Sequence, residues 1–277
     1  MNQIPALPVM QIVDTDSMQP HEEIDEGRSQ RLIRALQTQG FLKNPPAVWQ
    51  IEGDPERYVV LDGANRTTAV RYMGFPHMLV QIANAGVEVR NWNHILSQGD
   101  LAPLLDRVRR ISGLEVTATD EFRAAAALAR EESLAYMVLP DGATWQLGID
   151  GAGITEKLTS LTEFVGLYEG SFRRERTTTT SLDGLSNLFP DMNCLIIFPQ
   201  FSVEDVVEAT SSGLKFPSGL TRFLISPRAL RVNFPLAMLA DRSPVEEKRQ
   251  ALEEWIRQRV DQRRVRYYAE STFVFDE

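Results

Sequence analysis

An aspartate, a glycine and an arginine dominate one short stretch, Leu61-Asp62-Gly63-Ala64-Asn65-Arg66-Thr67-Thr68-Ala69-Val70-Arg71-Tyr72-Met73-Gly74. The apolar run Tyr58 to Leu61 predicts a strand, and the residues from Asn65 predict a helix stopped by Gly74. Between them Gly63 permits a tight turn that brings the backbone close to a ligand. Free N–H groups at the helix start favour an anion, and Arg66 adds a fork of donors. Asp62, at the strand end, is placed to handle a metal ion or a proton. Asp62, Gly63, Ala64, Asn65, Arg66 and Thr67 therefore predict a phosphate cradle. It is not a Walker loop, because G-x-x-x-x-G-K-[ST] is absent.

Other segments also carry usable chemistry. His21-Glu22-Glu23 precedes a predicted helix. Its carboxylates favour the positive end of that helix. Trp92 and His94 lie just past a predicted strand, where a tryptophan serves as core, interface or ligand wall. Thr221-Arg222 offers a hydroxyl and a guanidinium at the start of a predicted strand, suited to a surface salt bridge. His77 reads as structural. Arg173-Arg174-Glu175-Arg176 reads as a solvated loop whose basic charge could approach a nucleotide.

The elements that must position these residues follow from hydrophobic periodicity. Val9 to Val13 predicts a strand, Ile24 to Thr38 a helix stopped by Gly40, and Ala47 to Ile51 a strand joined to Tyr58–Leu61 through Gly53-Asp54-Pro55. Val80 to Ala83 closes a mixed α/β unit over residues 1–98, with a helical connector from Ser97 to Arg110. Residues 99–277 predict a second α/β domain. In it Ala118 to Glu132 reads as helix, and Ala135 to Leu139 and Thr144 to Leu147 as a hairpin about Asp141-Gly142. Thr155 to Tyr168 reads as helix, Cys194 to Phe198 as a buried strand, and Ser202-Val203-Glu204-Asp205 as a capping box. Thr221 to Ile225 and Arg228 to Val232 read as paired strands. Ser243-Pro244 opens a charged helix to Arg263, and a final strand ends near Phe275.

Bulk properties exclude several classes. A net charge of −9 and a pI near 5.0 argue against a non-specific nucleic-acid binder. The single cysteine, Cys194, forms no internal disulfide, which suits a reducing cytoplasm. The N-terminal run Ile4 to Val13 holds two prolines and lacks the basic flank of a signal peptide, and no segment reaches transmembrane length.

Asp-Gly-x-x-Arg between a strand and a helix resembles the signature of the ParB/sulfiredoxin-like superfamily. Within it the nearer likeness is to the free L-serine kinase group, including its siderophore-associated members. His21-Glu22-Glu23, Phe41-Leu42-Lys43-Asn44-Pro45-Pro46 and Trp92-Asn93-His94 agree in order. Downstream, Gly219-Leu220-Thr221-Arg222-Phe223, Ile225-Ser226, Pro235-Leu236-Ala237 and Arg266-Tyr267-Tyr268 resemble the same group. The likeness is good over the first third, moderate from Pro217, and weak between Ser97 and Lys215.

This resemblance implies a kinase that passes the terminal phosphoryl group of ATP or ADP to free L-serine, giving O-phospho-L-serine. It assigns catalysis to Glu22, as the base, and to Asp62; Glu23 is the base if the register is off by one. It implies nucleotide contacts from residues 62 to 67, and a substrate pocket from Trp92, His94, Thr221 and Arg222. Mg²⁺ is implied too, held mainly by the nucleotide phosphates with Asp62 as a possible ligand. Asn65 departs from the group, whose members usually carry histidine there. Asparagine can donate to phosphate but cannot transfer a proton. That departure leaves a second reading open, a non-catalytic regulator that binds nucleotide or amino acid. Sulfiredoxin chemistry is excluded because its turn needs a cysteine where Ala64-Asn65 stands. A partition protein would carry a helix-turn-helix and a basic surface, and a nuclease would carry more clustered carboxylates.

Overall fold

The computed structural model describes residues 6–24, 26–149 and 151–268. The chain opens with β1 (Met10–Asp14), β2 (Met18–Pro20), α1 (Glu26–Gln39) and the two-residue β3 (Phe41–Leu42). A hairpin follows, β4 (Ala47–Ile51) and β5 (Asp54–Asp62), turned at Gly53 with φ +81°. Then come α2 (Ala64–Tyr72) and β6 (His77–Ile82). These strands build a five-stranded mixed sheet in the order β1-β6-β4-β5-β2. β5 explains why its sequence shows no alternation: Tyr58 and Val60 face a core shared with α1 and α2, while Val59 and Leu61 face the second core of the molecule. A strand buried on both faces reads as a continuous apolar run, and the first polar side chain at its exit is Asp62.

The chain next forms β7 (Val87–Asn91), β8 (Asn93–Ser97), α3 (Leu101–Val108), β9 (Glu115–Thr119), α4 (Glu121–Ala129), β10 (Ser133–Val138) and β11 (Thr144–Gly148). It continues through α5 (Ile154–Tyr168), β12 (Arg173–Thr177), α6 (Leu185–Leu188), β13 (Met192–Ile197) and α7 (Val203–Ser211). Six of these strands form an antiparallel sheet in the order β12-β8-β13-β10-β11-β9. Helices α3, α5 and α7 cover one face, and α4 and α6 the other. Finally β14 (Thr221–Ile225) pairs with β7, β15 (Phe234–Pro235) pairs with β3, and α8 (Leu236–Ala240) and α9 (Val245–Asp261) follow. Phe234, Leu236, Leu239 and Leu252 complete the core of the first sheet, so β15, α8 and α9 pack against the same layer as β1.

Several sequence expectations are corrected. The helix expected from Ala118 to Glu132 begins later, because β9 runs through Thr119 and Asp120 then caps α4 by accepting the Arg123 N–H at 2.9 Å. The basic run Arg173 to Arg176 is not a loop but edge strand β12, whose charged side chains keep that edge from pairing further. β14 does not pair with Arg228–Val232, which form no strand; its partner is β7, which periodicity missed. The connector helix starts only at Leu101, since β8 runs through Ser97 and Asp100 then caps the helix by accepting the Ala102 N–H at 3.0 Å. The hairpin about Gly142 and the Ser202/Asp205 capping box are present as read. The expected strand near Phe275 lies outside the described residues.

Candidate active site

A cavity of about 410 Å³ opens where the exit of β5, the residues before α1, and the start of β14 meet. Glu22, Asp62, Gly63, Ala64, Asn65, Arg66, Trp92, Thr221 and Arg222 line it, joined by Arg28 and Arg176. Thr67 and His94 lie behind the wall. Both are fully buried; the Thr67 N–H bonds back to the Gly63 carbonyl at 2.9 Å.

Gly63 sits at φ +98° as the N-cap of α2 and supplies no side-chain cap, so the first N–H groups of the helix remain for a ligand. A Cβ at this position would lie 3.1 Å from Cα and Cβ of Pro46 and 3.2 Å from Arg66 Cζ. Glycine is therefore required both by the sign of φ and by the close approach of the Pro46 segment. Asn65 accepts a 3.3 Å hydrogen bond from Ser29 at Oδ1, which leaves its amide N–H groups to face the cavity.

Arg66 is more constrained than its sequence position suggests. It donates to the Asn44 carbonyl at 2.6 Å and to Asp62 Oδ2 at 3.0 Å. The same Asp62 oxygen accepts from Arg228 at 2.7 Å, and Arg228 also donates to the Pro45 carbonyl at 2.7 Å and to Gln81 Oε1 at 2.9 Å. Burial alone would raise the Asp62 pKa, but Arg66 and Arg228 outweigh it and hold the carboxyl below its ordinary value. Asp62 is thus a fixed anion bracing two arginines, poorly suited to exchanging protons. Sequence reasoning missed Arg228 because the segment read as a strand.

Glu22 is half-buried on the cavity wall, whereas Glu23 is exposed. A short parallel bridge pins the segment: the Phe216 N–H donates to the His21 carbonyl at 2.8 Å and the Glu23 N–H to the Phe216 carbonyl at 3.0 Å. One Glu22 oxygen, Oε2, accepts from the Gly219 N–H at 3.1 Å. His94 anchors the same glycine from behind. Since a carbonyl can only accept, His94 Nε2–H donates to Gly219 O at 3.3 Å and Nδ1 accepts from the Tyr168 hydroxyl at 2.7 Å. By the same logic His21 Nδ1–H donates to the Val60 carbonyl at 2.6 Å, and Nε2 accepts from the Thr221 hydroxyl at 2.7 Å. Thr221 has committed its proton inward and meets the cavity as an acceptor.

Burial lowers the His94 pKa to about 3, with Arg174 adding to the effect. The unfolded chain binds a proton at this histidine below about pH 6.5 while the folded chain does not, so stability falls as pH drops from about 6.5 toward 3. His21 is shifted the same way by burial. Thermal melts from pH 7 to 4 should show a Tm decline that is shallower in His94→Gln. Parallel slopes would show that His94 contributes nothing to acid sensitivity.

Trp92 donates its backbone N–H to Leu220 at 2.8 Å, and the guanidiniums of Arg222 and Arg176 lie over its ring, 4.8 and 5.6 Å from the centroid. Among the described residues no group of three or more His, Cys, Asp or Glu could hold a metal ion. Glu22 and Asp62 are the carboxylates on the wall, and Asp62 has only Oδ1 left for a cation. This donor set fits an ion bound chiefly by phosphates, as Mg²⁺ commonly is, and not a protein cage.

No protein-family model matches the chain. It is 24% identical over 241 residues to the ATP-dependent L-serine kinase SbnI of Staphylococcus aureus, covering 87% of each chain. It is 23% identical over 237 residues to an ATP-dependent L-serine kinase of Desulfurococcus mucosus, covering 82% of this chain and 90% of that one. In fold it matches a C-terminally truncated SbnI from Staphylococcus aureus with a TM-score of 0.71 at 21% identity, over 91% of this chain and 96% of that one. A free serine kinase in complex with AMP matches with a TM-score of 0.70 at 20% identity, over 85% and 96%. In sequence along most of its length, and in fold, this mixed α/β chain is similar to the free L-serine kinases.

Proposed function

We propose that the protein phosphorylates free L-serine with a nucleotide donor, giving O-phospho-L-serine. The observation that carries this reading is one cavity walled by an uncapped phosphate cradle at Gly63–Asn65, a carboxylate at Glu22, and an acceptor–arginine pair at Thr221 and Arg222. ATP is the donor in this reading, as the names of the curated relatives suggest.

Residues 1–98 supply the nucleotide end and residues 99–277 complete the amino-acid end. The serine ammonium donates to Thr221 Oγ1 and its carboxylate meets Arg222. Glu22 accepts the hydroxyl proton; the serine oxygen forms a bond to the terminal phosphorus as the bond from that phosphorus to the leaving ADP oxygen breaks. Positioning and electrostatics dominate such a transfer. Mg²⁺, held by the phosphates beside Asp62, would offset their charge. His94 acts by holding Gly219, and so Glu22, in place.

Nucleic acid is not a partner in this reading, given the net charge of −9. Among the described residues no helix is long and apolar enough to cross a membrane. A cytoplasmic setting suits the single buried cysteine, Cys194.

Asn65 favours the rival reading of a non-catalytic binder. Its amide faces the cavity as a donor, however, and a donor suffices for phosphate binding. Serine-dependent release of phosphoserine, followed by phosphorus NMR with ATP and with ADP, is the direct test. Wild type should turn over, and Asn65→His should be tolerated or more active. A wild type that binds nucleotide yet yields no phosphoserine with either donor would sink the kinase assignment and leave the binder.

A further inference from the structure

We propose that Arg176, on edge strand β12, is a specificity residue that works with Arg222 as a two-guanidinium clamp for the carboxylate of the amino-acid substrate. The inference rests on the serine-kinase reading and deepens it. It restricts the acceptor to small hydroxy amino acids with a free carboxylate, and excludes amino alcohols and carboxyl-blocked serine.

Charge is the first ground. The protein carries a net −9, yet its cavity wall holds Arg28, Arg66, Arg176 and Arg222 against Glu22 and Asp62. Arg66 is engaged with the Asn44 carbonyl and with Asp62. The guanidiniums of Arg176 and Arg222, by contrast, have no ion pair and no hydrogen bond to a protein group among the described residues; both lie over the Trp92 ring. Stacking fixes a guanidinium plane while leaving its edge N–H groups unspent, the arrangement needed for bidentate capture of a carboxylate.

Geometry is the second ground. A Cβ on Gly219 would lie 3.1 Å from Arg176 Nη1 and 3.4 Å from its Cδ, so the arginine side chain lies directly against that glycine. The Gly219 N–H holds Glu22, and its carbonyl is held by His94. The arginine is thereby set at a fixed offset from the group that takes the hydroxyl proton. In serine the carboxylate and the hydroxyl are separated by two carbons, and a clamp registered to the base measures that separation.

The test uses the full chain and compares Arg176→Met, which keeps the packing, Arg176→Lys, which keeps the charge but loses the fork, and Arg173→Met as a neighbouring control on β12. KM for L-serine, KM for ATP, and turnover of L-serinamide are measured for each. Arg176→Met should raise KM for serine about tenfold or more, leave KM for ATP within about twofold, and lower the preference for serine over serinamide by the factor lost on serine. Arg176→Lys should fall between, and carries the test alone if the methionine variant does not fold. Arg173→Met should match wild type. An unchanged serine KM, or equal losses on serine and serinamide, would overturn the clamp; a change confined to ATP would move the residue to the phosphate end. Each of those results is read against an active wild type, so they differ from failure of the kinase reading, in which wild type itself does not turn over.

Discussion

Glu22→Gln is expected to lower phosphoryl transfer by about a hundredfold to ten-thousandfold while nucleotide binding survives, because a positioned base contributes that much. The amide is nearly isosteric with the acid and can still accept the Gly219 N–H that Glu22 Oε2 accepts at 3.1 Å. The cavity should therefore keep its shape and lose only the proton acceptor. Glu23 is exposed, does not line the cavity, and is tied down only through its backbone N–H. Glu23→Gln should remain within a few-fold of wild type. Single-turnover rates with calorimetric nucleotide affinities check both. Full transfer by Glu22→Gln with a dead Glu23→Gln would shift the base by one residue.

Arg66→Ala is expected to weaken nucleotide binding by roughly 1.5–3 kcal/mol, the range for hydrogen bonds to charged groups, and also to destabilise the fold. The second effect follows from its contacts. Without Arg66 the Asn44 carbonyl loses its donor, and Asp62 keeps only Arg228. The pair is partly exposed, with side chains 22% and 46% accessible, so the stability loss should be smaller than for a fully buried ion pair. Calorimetry and thermal unfolding of the same variant separate the two effects. A lower Tm with unchanged affinity would make Arg66 a brace and nothing more.

What the sequence made legible was local. The strand end at Asp62, the glycine turn and the helix after it lie within a few residues of one another, and their physics is visible in the order of side chains. The hairpin about Gly142 and the Ser202 capping box were readable for the same reason. What stayed hidden depends on partners far along the chain. Nothing near Arg228 indicates that its guanidinium meets a carboxylate 166 residues earlier. β12 reads Arg-Arg-Glu-Arg-Thr, which looks like a solvated loop unless its pairing with β8 is known. Gly219 stands in a motif legible for Thr221 and Arg222, yet its own role requires Glu22, Arg176 and His94 to arrive around it.

The contact between His21 and Thr221 spans 200 residues, and that between Glu22 and Gly219 spans 197. During synthesis His21 and Glu22 emerge from the ribosome long before their partners, so Glu22 has nothing to orient it until the chain has been made through Gly219. Helices α8 and α9, which complete the core of the first sheet, come later still. Contacts of such sequence separation form slowly. A nascent chain would thus hold the Gly63 turn well before the contacts that orient Glu22 exist.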